Sequence, residues 1–359
     1  MIDIRHLAEM NGPERAFVSL YLSGAEALPR LGQRIRKVRA MLSDNPVELE
    51  HFDENMKLIQ ASFDRHAPGA DALCAFACWA NDYLQVIRLE RSVPGLLWVD
   101  SSPYIRPLAE LRDEYENFVV VAASNTDTRV YVVTSAKPDE EARVRGDVKN
   151  HVKVGGWSQK RYARRRDKEL HHYAREIADV LSDLAARESF DRILLVGSRE
   201  TIAEIKSVLP DSLLERVVGE KNVDLHREEA VWQEAFGMYF EEERASEQAL
   251  WEQIKGEYLR GGRAVAGPDD VLKAAAVGRV DRMIVTRDAK IPGLRCRTCE
   301  NLTAGAPETC SVCGSGDVFK EDLINELVEL LALSSAETEF VDPIPGLSEI
   351  GHIAALLRY

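Results

Sequence analysis

Gly155-Gly156-Trp157-Ser158-Gln159 runs directly into Lys160-Arg161-Tyr162-Ala163-Arg164-Arg165-Arg166. Adjacent glycines permit backbone angles closed to residues with a Cβ, so a loop built on Gly155 and Gly156 can present main-chain N–H groups at close range. Gln159 adds a side-chain donor and acceptor. From Lys153 to Arg175, eight Lys/Arg stand against Asp167 and Glu169, a local balance of +6 in a chain of formal charge -14. Such a reversal points to a phosphate-contacting surface, because each cation that neutralises a phosphate releases counterions. Its RNA-binding residues would be Lys160, Arg161, Arg164, Arg165, Arg166 and Lys168, with Trp157 either stacking on a base or packing at the loop base. The bland reading of the same run is a solvated helix face. Behind it Leu170, Tyr173, Ile177, Val180 or Leu181, and Leu184 recur at helical spacing, so one stripe packs inward and the arginines point out. His171 and His172 are neighbours on that helix and face different directions, which suits surface contacts better than paired acid–base work.

The second chemical constellation is Cys296-x2-Cys299 and Cys310-x2-Cys313, with ten residues between the pairs and Gly314 after the second. Thiolates at this spacing can face one tetrahedral ion, and four of them close its shell, so structural zinc is expected rather than a disulfide or a redox pair. Cys74 and Cys78 lie in an apolar run from Ala72 to Trp79 and read as buried free thiols.

These groups must be positioned by more than one core, since 359 residues exceed an ordinary single domain. A composition of 45% hydrophobic and 30% charged residues reads as soluble and globular. The sequence has no apolar run of membrane-spanning length and no signal-peptide core, which implies a cytoplasmic protein without a membrane partner. Overall acidity argues against a nonspecific nucleic-acid coat and favours selected basic patches.

A strand at 17–22 leads into a helical pattern from about 30 to 63, broken at Asp44-Asn45-Pro46, which predicts a helical hairpin with its tip there. Strands follow near 72–79, 84–90 and 96–99. A hairpin at 118–123 and 129–134 opens a middle segment with helices at about 160–187 and 199–208 around a strand at 192–196. A charged helix covers 226–260. Gly267-Pro268-Asp269-Asp270 starts another helix, which Gly278 ends. A strand at 282–286, the cysteine pairs, a helix at about 321–333 and a closing strand at 351–359 complete an α/β unit. The tract from Glu321 to Glu349 holds eight Asp/Glu and no Lys/Arg, and reads as a solvated helix face.

In this order the pieces resemble the archaeal and eukaryotic class-one peptide chain release factors and their relative Pelota, over nearly the whole chain. Ser19-Leu20-Tyr21-Leu22 is similar to the first strand of the family's codon-reading domain, and Gly155 to Arg164 to its Gly-Gly-Gln loop and following helix. Gly267 to Ala274 and Ile350 to Tyr359 are similar to the family's GVEDTLKAL and GIGGILRY signatures, and the four cysteines to the zinc-bearing mini-domain of archaeal members. The resemblance implies a multidomain α/β (α+β) fold: a decoding-site-like domain at 1–116, a central domain at 117–245, and a GTPase-docking-like domain at 246–359 with a zinc knuckle at 294–316. It implies a monomer that enters the ribosomal A site, contacts rRNA and the tRNA acceptor end, and docks a translational GTPase such as elongation factor Tu. Gln159, helped by Gly155 and Gly156, would position water at the peptidyl-tRNA ester in the peptidyl-transferase centre.

Two departures shape that expectation. The tip carries Asp44, Asn45 and Pro46 where the family has its Asn-Ile-Lys-Ser motif, so stop-codon reading is not expected. Trp157 and Ser158 separate Gly156 from Gln159, where the family has glycine followed directly by glutamine. Both changes resemble the divergent bacterial branch, which leaves two functions open: ribosome rescue by peptidyl-tRNA hydrolysis, with cleavage near the tRNA CCA end as a variant, or Balon-like hibernation that blocks the A site without chemistry.

Overall fold

A computed structural model of the protein describes residues 3–13, 15–23, 27–66, 72–89, 91–114, 117–134, 137–146 and 157–359, with the side chains of 27–30, 63–66, 137–138 and 157–163 outside the description. The chain is a mixed α/β protein that divides into two compact units, residues 1–114 with 250–359, and residues 115–249.

In the first unit, chain order runs α1 (Ile4–Ala8), β1 (Phe17–Ser23), α2 (Ala27–Met41), α3 (Pro46–His66), β2 (Ala72–Cys78), β3 (Tyr83–Leu89), β4 (Leu96–Asp100) and α4 (Arg106–Glu114). The strands form an antiparallel sheet in the order β3-β2-β1-β4. Because side chains alternate along a strand, Val18, Leu20 and Leu22 pack under Phe52, Met56 and Ile59 of α3, while Tyr21 faces the opposite side. Cys74 and Cys78 are buried free thiols, and burial pushes Cys74 up to about 12, which leaves it an inert packing group.

The central unit contains β5 (Phe118–Ala123), β6 (Asp127–Thr134), β7 (Lys137–Arg145), α5 (Trp157–Arg187), β8 (Arg192–Gly197), α6 (Arg199–Val208), α7 (Asp211–Leu214), β9 (Val217–Asn222) and the start of α8 (Glu228–Leu259). Its sheet has the order β7-β6-β5-β8-β9, with β5, β8 and β9 parallel. Val119, Val121, Ile193 and Leu195 meet the apolar stripe of α5, in which Leu181 is fully buried and Val180 packs partly buried against the same core. Phe118, Val120 and Leu194 meet Val231, Ala235 and Tyr239 of α8 on the other face.

The closing part of the first unit adds β10 (Ala264–Ala266), α9 (Pro268–Ala276), β11 (Val280–Thr286), β12 (Pro292–Cys296), β13 (Leu302–Ala304), β14 (Val318–Asp322), α10 (Leu323–Ser334), β15 (Glu337–Val341), α11 (Pro345–Glu349) and β16 (Ile353–Leu357). One sheet has the order β10-β16-β11-β15, and a smaller one, β13-β12-β14, carries the cysteine pairs. Residues 1–114 and 250–359 share one core that joins Tyr21, Phe76 and Ile105 to Leu323, Leu327 and Phe340. A buried polar seam runs through it. Asn325 Oδ1 accepts the N–H groups of Ile105 at 2.8 Å and Arg106 at 3.1 Å, capping the start of α4 from a helix 220 positions away. Arg106 donates to the carbonyls of Ala289 at 3.0 Å and Arg287 at 2.7 Å.

Candidate functional site

Gly155 and Gly156 lie outside the described residues, as do the side chains of Trp157, Gln159, Lys160 and Arg161. The residues on either side of the segment 147–156 are described. At the entry, the Gly146 N–H donates to the Thr126 carbonyl at 3.0 Å. A Cβ on Gly146 would sit 2.7 Å from the Tyr173 ring, so glycine lets the strand end close onto α5. The Tyr173 hydroxyl lies 2.7 Å from Thr128 Oγ1 and 3.2 Å from the Val144 carbonyl oxygen, tying helix to hairpin below the loop. At the exit, α5 begins at Trp157, ahead of the expected start near 160. The Gln159 backbone is therefore helical, and its N–H is among the first-turn groups that have no partner inside the helix and form its positive end.

Beyond the first turns, Arg164, Arg165 and Lys168 are exposed on α5, and Arg165 pairs with Glu169 at 3.0 Å. Arg166 differs from the exposure expected of it. It lies four residues before Leu170 and thus on the inward stripe, where its buried guanidinium forks onto Glu200 at the start of α6. His171 Nδ1 meets Glu204 at 2.6 Å, while His172 points to solvent beside Glu176.

A further cationic group at the entry root was missed in the sequence. Arg143 forks onto Asp127 at 2.7 and 2.9 Å, Arg129 Nε lies 3.6 Å from the same carboxylate, and exposed Arg145 stands opposite Asp127 in the ladder. The Arg143 hydrogen bonds, then the charges of Arg143, Arg129 and Arg145, hold Asp127 below the usual carboxylate range. The available signal was Arg143-Val144-Arg145, two cations on one face of a strand that ends just before the loop.

The four cysteines converge, with all Sγ atoms within 4.8 Å of one another. The two turns that bring them together are built alike. Cys296 N–H donates to the Asn301 carbonyl at 3.0 Å and Cys310 N–H to the Ser315 carbonyl at 2.8 Å; Glu300 N–H returns to the Cys296 carbonyl at 2.9 Å and Gly314 N–H to the Cys310 carbonyl at 3.0 Å. Both closing residues are left-handed, Glu300 at φ 57° and Gly314 at φ 73°. The N–H groups of Cys313 and Val312 lower the Cys310 thiol, which favours the thiolate a metal needs. The set can hold a metal ion through four sulfurs, with no protein-free position for substrate.

Arg297, between the first two cysteines, reaches away from them. Its guanidinium lies 4.8 Å over the Phe319 ring and donates to Glu48 at 2.7 Å. Glu48 is in the first turn of α3, so the cysteine turn braces the helical hairpin close to its tip. At that tip Asp44 and Pro46 are exposed, and Asn45 caps α3 by accepting the Glu48 N–H at 3.3 Å.

The structure corrects the solvated-face reading for part of the acidic tract, while Glu337, Asp342 and Glu349 are exposed. Glu321 and Glu326 are buried around Arg295, and Glu329 Oε1 accepts from Ser102 at 2.8 Å and Asn325 at 2.7 Å. These three do not form a solvated face: Glu326 lies with Leu323 and Leu327 on the buried side of α10, and Glu321 is buried in β14. Burial, then neighbouring carboxylates, raises Glu321 to about 10, and burial raises Glu326 to about 7 despite Arg295.

Residues 103–236 match the model of Bacterial archaeo-eukaryotic release factor family 10. Peptide chain release factor subunit 1 of Thermococcus sibiricus is 23% identical over 404 residues, covering 99% of this chain and 96% of that protein. The same factor from Methanopyrus kandleri is 28% identical over 227 residues, covering 56% and 52%. Among solved structures, Dom34 of S. cerevisiae, a translation termination-like factor, covers 77% of this chain and 73% of its own at 12% identity and a TM-score of 0.43. The chain is thus similar to archaeal release factors over nearly its whole length, and its centre matches a bacterial branch of that superfamily, as the motifs imply. Among the described residues no helix is long and apolar enough to cross a membrane.

Proposed function

We propose that this protein is a cytoplasmic, monomeric ribosome A-site factor that does not read stop codons and rescues ribosomes by hydrolysing peptidyl-tRNA through Gln159. The observation that carries the reading is that the segment 147–156 is entered from a hairpin tied to α5 by Tyr173 and is flanked by exposed cations, Arg143 and Arg145 before it and Arg164, Arg165 and Lys168 after it. Such a surface suits the RNA around a peptidyl-transferase centre and the tRNA acceptor end. Gly155 and Gly156 would let the loop enter, Gln159 N–H would stabilise the developing oxyanion, and its side chain would position water. At the hairpin tip, Asn45 is committed to capping α3 and Asp44 adds an acid, which suits occupancy of the decoding site without codon reading.

The test is release of labelled peptide from ribosomes that carry peptidyl-tRNA. Wild type should release it, Gln159→Ala should lose most of the rate, and intact deacylated tRNA should be the RNA product. Shortened tRNA would instead indicate cleavage near the CCA end. A second reading, hibernation, is favoured by the helical backbone of Gln159, which differs from a free loop position. In that case Trp157 anchors on rRNA, release is absent, and Trp157→Ala weakens ribosome binding by roughly 1–3 kcal/mol. A translational GTPase such as elongation factor Tu would deliver the protein in either reading. We assign zinc to the four cysteines on their all-sulfur donor set; purified reduced protein should hold about one equivalent, and finding none removes the assignment.

A further inference from the structure

A groove of about 840 Å³ in the unit of residues 1–114 and 250–359 has no role in the reading above. Two helices line it. Asp269, Leu272, Lys273 and Ala276 come from α9, at one-face spacing, and Glu326, Glu329, Leu330 and Leu333 from one face of α10. Met10, Leu302 and Val312 extend the apolar lining. Val312 is 70% exposed and Leu333 40% exposed, so apolar surface lies open to water at the rim.

Carboxylates outnumber cations around this lining. Glu9, Asp269 and Glu300 stand exposed at its edges, and Glu326 and Glu329 lie deeper. The two cations present are engaged: Lys273 lies 3.2 Å from Asp270, and Arg295 is bound to Glu321 and Glu326. Phosphate is repelled by such a rim, so RNA is not its occupant.

We infer that this groove docks a cationic amphipathic helix of a partner protein, with apolar residues at helical spacing against Leu272, Leu302, Val312 and Leu333 and with Lys or Arg beside Glu9, Asp269 and Glu300. Charge complementarity selects the partner's sign, and the i, i+3/i+4, i+7 faces of α9 and α10 match a helix laid along them. The docking site is independent of Gln159 and of any hydrolytic activity.

The test uses full-length protein and a fluorescein-labelled Leu/Lys peptide of about 14 residues, about four helical turns. Two control peptides have the same composition, one scrambled and one with a central proline. In fluorescence anisotropy the helical peptide should bind at least tenfold more tightly than either control. Val312→Lys/Leu333→Lys and, separately, Glu9→Lys/Glu300→Lys should each weaken it about tenfold; all four positions are exposed or rim positions, so circular dichroism and thermal melts should stay close to wild type. Equal binding of the helical and scrambled peptides would mean only that an acidic protein attracts lysine, and equal binding of the proline peptide would mean an extended occupant. Either result, or undiminished binding by the groove variants, overturns the inference.

Discussion

Helices α5 and α10 each belong to a stretch dominated by one sign of charge, yet α5 turns Arg164, Arg165 and Lys168 to water, while α10 and the residues before it turn Glu321 and Glu326 inward. The difference lies in where each charge falls on the apolar stripe. In α5 most of the cations are off the line drawn by Leu170, Tyr173, Ile177 and Leu181; in α10 Glu326 is three residues after Leu323 and adjacent to Leu327, on the buried side. A run of charge therefore predicts a solvated face only after the phase of the helix has been taken into account. Arg166 obeys the same rule from the other side, since its place on the α5 stripe buries it against Glu200.

The largest effect should come from removing the cation shared by Glu321 of β14 and Glu326 of α10. Arg295→Met removes the cation bound to Glu321 and Glu326 and should cost roughly 3–5 kcal/mol, read as a lowered urea midpoint. Adding Glu326→Gln to that variant should restore part of the loss; a single variant as stable as wild type would mean these acids have another partner.

The same pocket sets a pH dependence opposite to the usual carboxylate case. Glu326 is raised from 4.5 to about 7 in the folded protein, so between those values the folded state binds more protons than the unfolded state. Its contribution to stability is fully present below about pH 4.5 and is lost as pH rises through about 7. Denaturant midpoints of wild type should fall across this window relative to Glu326→Gln, which keeps a neutral side chain at all pH values. Parallel curves for the two proteins would show that Glu326 titrates normally.

Arg166→Ala comes next in size. It removes two charge-assisted hydrogen bonds but leaves Glu200 partly in water, so a loss of about 1–2 kcal/mol is expected. Ribosome affinity should change little once the protein is folded, because this guanidinium faces α6 and not solvent. A large affinity loss at unchanged stability would return Arg166 to the RNA-contacting set.

Much of the scaffold was legible because it rests on local signals. Pro46 after Asp44-Asn45 marked the hairpin tip, Pro268 with Gly267 marked α9, and the x2 spacing of two cysteine pairs anticipated one sulfur cluster. What escaped were tertiary pairings between residues far apart in sequence: Arg295 with Glu326, Arg297 with Glu48, and Asn325 with the start of α4. Nothing in the composition of the tract from Glu321 to Glu349 announces that Arg295 of β12 binds two of its acids, Glu321 and Glu326. The arginines of β6 and β7 carried a readable alternation, but their meaning depended on β7 ending just before Gly146, which closes against Tyr173.

The smallest effect on folding should accompany the clearest effect on binding. Arg164 and Arg165 are exposed on α5, and Arg165 holds only a surface pair with Glu169, so Arg164→Glu/Arg165→Glu should shift stability by no more than about 0.5 kcal/mol. If these cations neutralise phosphates, ribosome affinity should fall, and the slope of log affinity against log salt should flatten by about 1–2 because fewer counterions are released. Arg129→Gln/Arg145→Gln offers the parallel measurement on the strand that enters the loop. Flattening by both pairs would mean that RNA contacts cations at both roots; flattening by the α5 pair alone would confine the contact to the helix. A folded Arg164→Glu/Arg165→Glu protein with unaltered affinity and slope would reduce the exposed α5 run to a solvated face and remove the feature that sets it apart from α10 in function.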